Sequence, residues 1–156
     1  MRIWKRLLSI VLCVCATVMA ISPLALAADE EENQHITYYA DGSYSVTKIT
    51  YDEQKGGISA QAGATEVRAT KQRDHYSSSN ELLWTLYVHG TFTYDGRTAK
   101  ATDTDYSYQI YNSAWSFVRG SASYSGATAR ATGTFKQATT QSASVSLTCS
   151  ANGVLS

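Results

Sequence analysis

The stretch Leu82-Leu83-Trp84-Thr85-Leu86-Tyr87-Val88-His89-Gly90-Thr91-Phe92-Thr93-Tyr94 alternates two kinds of side chain. Leu82, Trp84, Leu86, Val88, Phe92 and Tyr94 share one parity, and Leu83, Thr85, Tyr87, His89, Thr91 and Thr93 share the other. An extended chain sends successive side chains to opposite faces, so a period of two over thirteen residues reads as a half-buried strand. Helical geometry would scatter both sets round the axis, and the Thr and aromatic content suits a pleated surface. Gly90 interrupts the apolar set and marks a bend or bulge.

The end of this strand opens a repeat. Gly90-Thr91-Phe92-Thr93-Tyr94-Asp95-Gly96-Arg97-Thr98-Ala99-Lys100-Ala101-Thr102-Asp103-Thr104 recurs thirty residues later as Gly120-Ser121-Ala122-Ser123-Tyr124-Ser125-Gly126-Ala127-Thr128-Ala129-Arg130-Ala131-Thr132-Gly133-Thr134, with eight of fifteen positions identical and no gap. Each copy reads as a hairpin round an X-Gly turn, with a third strand expected before the next copy begins. Tyr94 and Tyr124 are placed to cover the hairpin ends, and the small Ala99, Ala101, Ala129 and Ala131 to let a second sheet approach closely. Lys100 and Arg130 then face outward, either as a pair of anion contacts or as edge-strand charges that deter aggregation. Two repeats are too few for a solenoid. The expected fold is all-β: a small antiparallel β-sandwich or barrel-like meander with a duplicated hairpin unit at 90–104 and 120–134, within one domain spanning 35–156.

Neighbouring segments extend the pattern. Asp41-Gly42, Asp95-Gly96, Ser125-Gly126 and Asn152-Gly153 are turn dipeptides between segments rich in Tyr, Thr, Val or Ala. Ala143, Val145, Leu147 and Cys149 alternate with Ser142, Ser144, Ser146 and Thr148, which places Cys149 inward on a strand, with no local cation to make it a nucleophile. Tyr106, Tyr108 and Ile110 are out of phase with Trp115 and Phe117, so a bulge or turn near Asn112-Ser113 is needed to bring both groups to the core. Residues 71–80, including Asp74, His75 and three consecutive serines, lack apolar periodicity and read as a long exposed loop.

The amino end reads as an export signal. Arg2, Lys5 and Arg6 precede fifteen apolar-run residues from Leu7 to Ile21, Pro23 follows, and Ala25-Leu26-Ala27 supplies the cleavage pattern, so residues 1–27 are expected to be removed after Ala27 or Ala28. The run is short of the roughly 20 residues that span a bilayer. Cys13 and Cys15 fall inside it, leaving Cys149 as the one mature cysteine and no internal disulfide. Residues 28–34, with Asp29, Glu30, Glu31 and Glu32, form an acidic leader that is expected to be disordered. From Asn33 onward ten basic residues face nine acidic ones, a near-neutral balance that argues against nucleic acid or another polyanion as the main partner. No amphipathic helical stripe follows Ile21, so stable membrane insertion after cleavage is not expected.

The run G-T-F-T-Y-D-G-R-T-A-K-A-T, then Tyr106-Ser107-Tyr108, Trp115 and the closing L-T-C-S-A-N-G-V-L-S, resembles short exported proteins of Gram-positive bacteria that form a family of unknown function. The resemblance covers about the last 75 residues. It implies export and a small β fold, and supplies no site residue.

Catalytic signals are sparse. His35, His75 and His89 lack metal-ligand spacing, no nucleophile elbow or P-loop is present, and no cofactor or metal is implied. Asp103 and Asp105 share one strand face at roughly 7 Å, a separation that paired glycosidase acids can adopt. The mature chain is rich in Tyr, and Tyr87 and Tyr111 fall on polar parity beside His89. Such aromatics stack on sugar rings. The expected function is a secreted, non-catalytic binding module for a cell-wall glycan or another envelope component such as a surface protein, with Tyr87, His89, Tyr111, Lys100 and Arg130 as candidate contacts. A bacteriocin-like antagonist and a hydrolase are the alternatives.

Overall fold

The computed structural model describes residues 34–52 and 63–156; the export signal and the acidic residues 29–32 lie outside the described residues. Eight strands are present: β1 (His35–Tyr38), β2 (Tyr44–Tyr51), β3 (Thr65–Tyr76), β4 (Leu82–Tyr94), β5 (Ala99–Ile110), β6 (Ser116–Ser125), β7 (Thr128–Lys136) and β8 (Thr140–Thr148). There is no helix among the described residues. The strands form two antiparallel sheets, β1-β2-β3-β4-β5 and β6-β7-β8, each following chain order. The four X-Gly dipeptides lie at turns, and Gly42, Gly96, Gly126 and Gly153 all take positive φ, which side chains with a Cβ resist.

Both sheets feed one core, an arrangement consistent with a β-sandwich. From the long sheet come Ala69, Trp84, Leu86, Val88, Phe92 and Ala101; from the short one Ala129, Ala131, Phe135, Ala143, Val145 and Leu147. Trp84 stacks on Phe135 with ring centroids 3.9 Å apart and planes 7° apart, tying β4 to β7. Cys149 is buried in this core, as its parity requires, and burial pushes its thiol pKa up. Of the small residues expected to admit the facing sheet, Ala101, Ala129 and Ala131 are fully buried and Ala99 is partly buried. Gly90 lies close to Ala129, and the strand irregularity falls one residue later, between Thr91 and Phe92. A Cβ on Gly90 would lie 2.6 Å from a Phe92 ring carbon and 3.3 Å from the Ala129 Cβ. The break in the apolar set is therefore occupied by the Phe92 ring and the facing sheet.

The two repeat copies occupy the β4–β5 and β6–β7 hairpins with the same register beside the turn. Tyr94, Thr93 and Phe92 pair with Ala99, Lys100 and Ala101, and Tyr124, Ser123 and Ala122 pair with Ala129, Arg130 and Ala131. Past that point the first hairpin shifts between Thr91 and Phe92, because Thr91 pairs with Asp103 and Thr102 is bulged out. Tyr94 does cover a hairpin end, lying against Gly153, whereas Tyr124 is half exposed. No separate strand divides the copies: β5 continues to Ile110, then a turn at 111–115 leads into β6. That turn brings Tyr106, Ile110, Trp115 and Phe117 to the core margin, whereas Tyr108 stays 45% exposed and stacks on Phe117 from outside the core.

Residues 71–80 are not a long exposed loop. Lys71 to Tyr76 are the second half of β3, paired on both sides, and only 77–80 turn, with Asn80 at φ 65°. The alternation was hidden because the inward parity there is Lys71, Arg73 and His75. Asp74 and His75 are 4% and 2% exposed, Asp74 held by hydrogen bonds and His75 by a hydrogen bond together with ring stacking on Trp84.

Phe135 joins the sheets through Trp84 and also meets Phe117 edge-on. Phe135→Ala is expected to cost about 3–5 kcal/mol, read as a lower midpoint of urea unfolding followed by Trp fluorescence.

Candidate functional site

The outward face of the long sheet is polar and aromatic. Cross-strand register sets its rows: Tyr38 with Tyr44 and Tyr76; Val46 with Asp74, Thr85 and Gln109; Lys48 with Gln72, Tyr87 and Ser107; Thr50 with Thr70, His89 and Asp105. Asp74 lies near the middle of this face. Its carboxylate accepts from Gln72 Nε2 at 2.8 and 2.9 Å and from Thr85 Oγ1 at 2.7 Å, with the Lys48 ammonium 3.9 Å away. A buried carboxylate is costly without such partners, so these contacts hold Gln72, Thr85 and Lys48 in a set array.

Aromatic rings surround that array. Tyr44 stacks on Tyr76 at 4.9 Å and Tyr38 leans on Tyr44 at 5.7 Å. Tyr87 lies parallel to the His89 ring at 6.3 Å, and His89 bridges Thr70 through Nδ1 and Ser107 through Nε2, both at 2.9 Å. Tyr111, on the turn after β5, donates its backbone N–H to the Leu83 carbonyl of β4 at 3.0 Å, which brings its side chain near Tyr87. Burial, then the Tyr111 hydroxyl, push the Tyr87 pKa up to about 12. Burial, Asp74, Tyr44 and Tyr111 raise that of Tyr76 as well. Both phenols therefore remain neutral hydroxyls, able to donate and accept, throughout the physiological range.

Tyr87, His89 and Tyr111, singled out on parity, thus meet on one face. Lys100 and Arg130 do not join them or each other. Lys100 lies on the outward face of the edge strand β5, whereas Arg130 is on the central strand β7 of the other sheet. They cannot act as a pair of anion contacts, and only Lys100 is an edge-strand charge. Asp103 and Asp105 are exposed on β5, each accepting the N–H of the next residue, at 2.9 and 2.7 Å. Among the described residues no three His, Cys, Asp or Glu side chains converge as a metal site, and no helix is long and apolar enough to cross a membrane. Sequence reasoning missed Tyr44, Gln72, Asp74 and Tyr76. The signal was present as period-two spacing in Thr70, Gln72, Asp74 and Tyr76, all polar enough to pass for a loop.

In comparisons with protein-family models, curated proteins and solved structures, none matches this chain.

On the inward side of β3, His75 Nδ1 hydrogen-bonds with Ser45 Oγ at 3.2 Å, Ser45 Oγ with the Tyr39 hydroxyl at 3.1 Å, and Arg73 donates to Tyr39. The Ser–His contact is closed to substrate, since Ser45 and His75 are 1% and 2% exposed. Burial lowers the His75 pKa below its usual 6.5, Arg73 adds to the effect and Asp41 opposes it. The folded protein thus holds the neutral ring, and the unfolded chain takes up the proton first as pH falls. This contribution is complete above the unfolded value and is lost as pH drops through the folded one. The urea midpoint should be lower at about pH 5 than at about pH 7.5, and His75→Gln should shrink that difference.

Proposed function

We propose that this protein is a secreted, non-catalytic recognition domain that binds a neutral saccharide of the cell envelope on the outward face of its long sheet. In this reading the first 27 residues direct export, and the domain is a small β-sandwich built round a duplicated hairpin. One observation carries the proposal. Strand register and the Tyr111 N–H bond to the Leu83 carbonyl bring Tyr76, Tyr87 and Tyr111 to one face, on which Tyr111 stays 50% exposed and Asp74 holds Gln72 and Thr85.

The chemistry suits a sugar. Saccharides offer apolar ring faces edged with hydroxyls, and are held by aromatic rings together with fixed donors and acceptors. Tyr111, with Tyr38 at 73% exposure, supplies accessible ring surface, while Gln72 and Lys48 supply amide and ammonium groups at fixed positions. The near-neutral composition agrees with recognition by stacking and hydrogen bonds. Asp103 and Asp105 lie on an exposed edge strand, each bound to its own backbone, which gives the hydrolase alternative little support.

The purified protein should be pulled down by peptidoglycan sacculi. Tyr111→Ala, which removes a half-exposed ring, should weaken that binding about tenfold with the unfolding midpoint nearly unchanged. No retention on sacculi, or equal retention by Tyr111→Ala and Tyr38→Ala variants, refutes the proposal.

A further inference from the structure

The near-zero charge of the chain conceals a segregation. After Asp105 there is no Asp or Glu in the remaining sequence, while Arg119, Arg130 and Lys136 all follow it. The short sheet therefore carries cations alone. Among the described residues the side-chain ion pairs are Lys48 with Asp74 and Arg68 with Glu66, both on the long sheet, and no carboxylate of the described residues pairs with Arg119 or Arg130.

A cleft of about 530 Å³ lies on this sheet, lined by Arg119 and Arg130 and by the side chains of Ser121, Thr132 and Ser142. Arg73 joins them from β3. Its Nη1 donates to the Ser144 carbonyl on β8 at 2.9 Å and its Nη2 to the Tyr39 hydroxyl, which pins the guanidinium at the open edge of β8. The Arg73 Nε is buried without an acceptor. Ser121 and Thr132 hydroxyls are 2.8 Å apart across β6 and β7, forming a polar floor. Arg119 pairs with Thr134, four residues along β7 from Arg130, which separates their backbones by roughly 13 Å along the strand.

We infer that this cleft binds a phosphodiester-linked polyol chain, with Arg119 and Arg130 contacting separate phosphates along it and the Ser and Thr hydroxyls meeting the polyol. Guanidinium forks match phosphate oxygens bidentately, and a tetrahedral phosphodiester presents acceptors out of a single plane to arginines and hydroxyls placed along two strands. Cations spread along the strand suit an anion that recurs along a polymer. None of the residues lining the cleft is aromatic, so nucleobases have no stacking platform there, and a chain without bases fits better than single-stranded nucleic acid. The site is separate from the aromatic face on the long sheet.

The test is retention of the purified protein on immobilised poly(glycerol phosphate), with polygalacturonate, single-stranded DNA and inorganic phosphate as comparison probes. The wild type should be retained at low salt and released as salt rises. Arg119→Glu and Arg130→Glu should each lower affinity at least about tenfold, and the corresponding Lys variants, which keep the charge, should fall in between. Tyr111→Ala should bind this polymer like the wild type. Unchanged retention of the Arg119→Glu, Arg130→Glu double variant overturns the inference. So does equal or tighter binding to polygalacturonate or DNA, or complete competition by inorganic phosphate at matched phosphate concentration.

Discussion

Trp84 stacks with Phe135 of the facing sheet and with His75 of the neighbouring strand, and Trp115 meets both Trp84 and His75 edge-on. With Cys149 a free thiol in the core, no disulfide joins the two sheets among the described residues. The ring stack takes that part. It ties β4 to β7, fixes β3 beside β4 through His75, and anchors the turn after β5 through Trp115. The outward face depends on it in turn. Tyr87 and Asp74 lie on β4 and β3, whose register the stack holds, and Tyr111 lies on the turn that Trp115 anchors. Dispersion and burial, each modest per contact, together set the alignment of the polar side chains on the opposite side of the same sheet.

The parts of the fold legible in the sequence were those where one parity is apolar and the other is not. The alternation from Leu82 to Tyr94, that from Ala143 to Cys149 and the four X-Gly turns belong to this class. So does the phase slip before Trp115, which a turn resolves. The second half of β3 is illegible from hydropathy, because that segment fills its inward positions with Lys71, Arg73 and His75. Arg73 and His75 are tolerated beside the core because Ser144 and Tyr39 hold the two terminal nitrogens of Arg73, Ser45 holds His75, and the His75 ring stacks on Trp84. Half of the aromatic face was lost with that strand. Tyr87, His89 and Tyr111 were visible by parity, but Tyr76 and Asp74 acquire meaning only once 71–76 is paired.

Charge followed the same pattern. A total near zero describes neither sheet, because acids and bases are distributed along the chain by strand. The long sheet holds every acidic residue with a place in either sheet and neutralises part of that charge internally, whereas the short sheet presents arginines among hydroxyls. The two outward faces thus differ in kind, one of phenols and amides over a buried carboxylate and the other of guanidinium groups over serine and threonine.

Each strand pairs only with its predecessor or successor in the chain. Both sheets can therefore be assembled by closing a series of short hairpins, each with a small loss of chain entropy, before any distant segments have to meet. The exception is the docking of the short sheet on the long one, which brings Phe135 to Trp84 from some fifty residues away and Ser144 to Arg73 from farther still. Topology thus divides folding into fast local zippering and one slower collapse. Until the sheets dock, the apolar faces that meet in the core stand open to solvent.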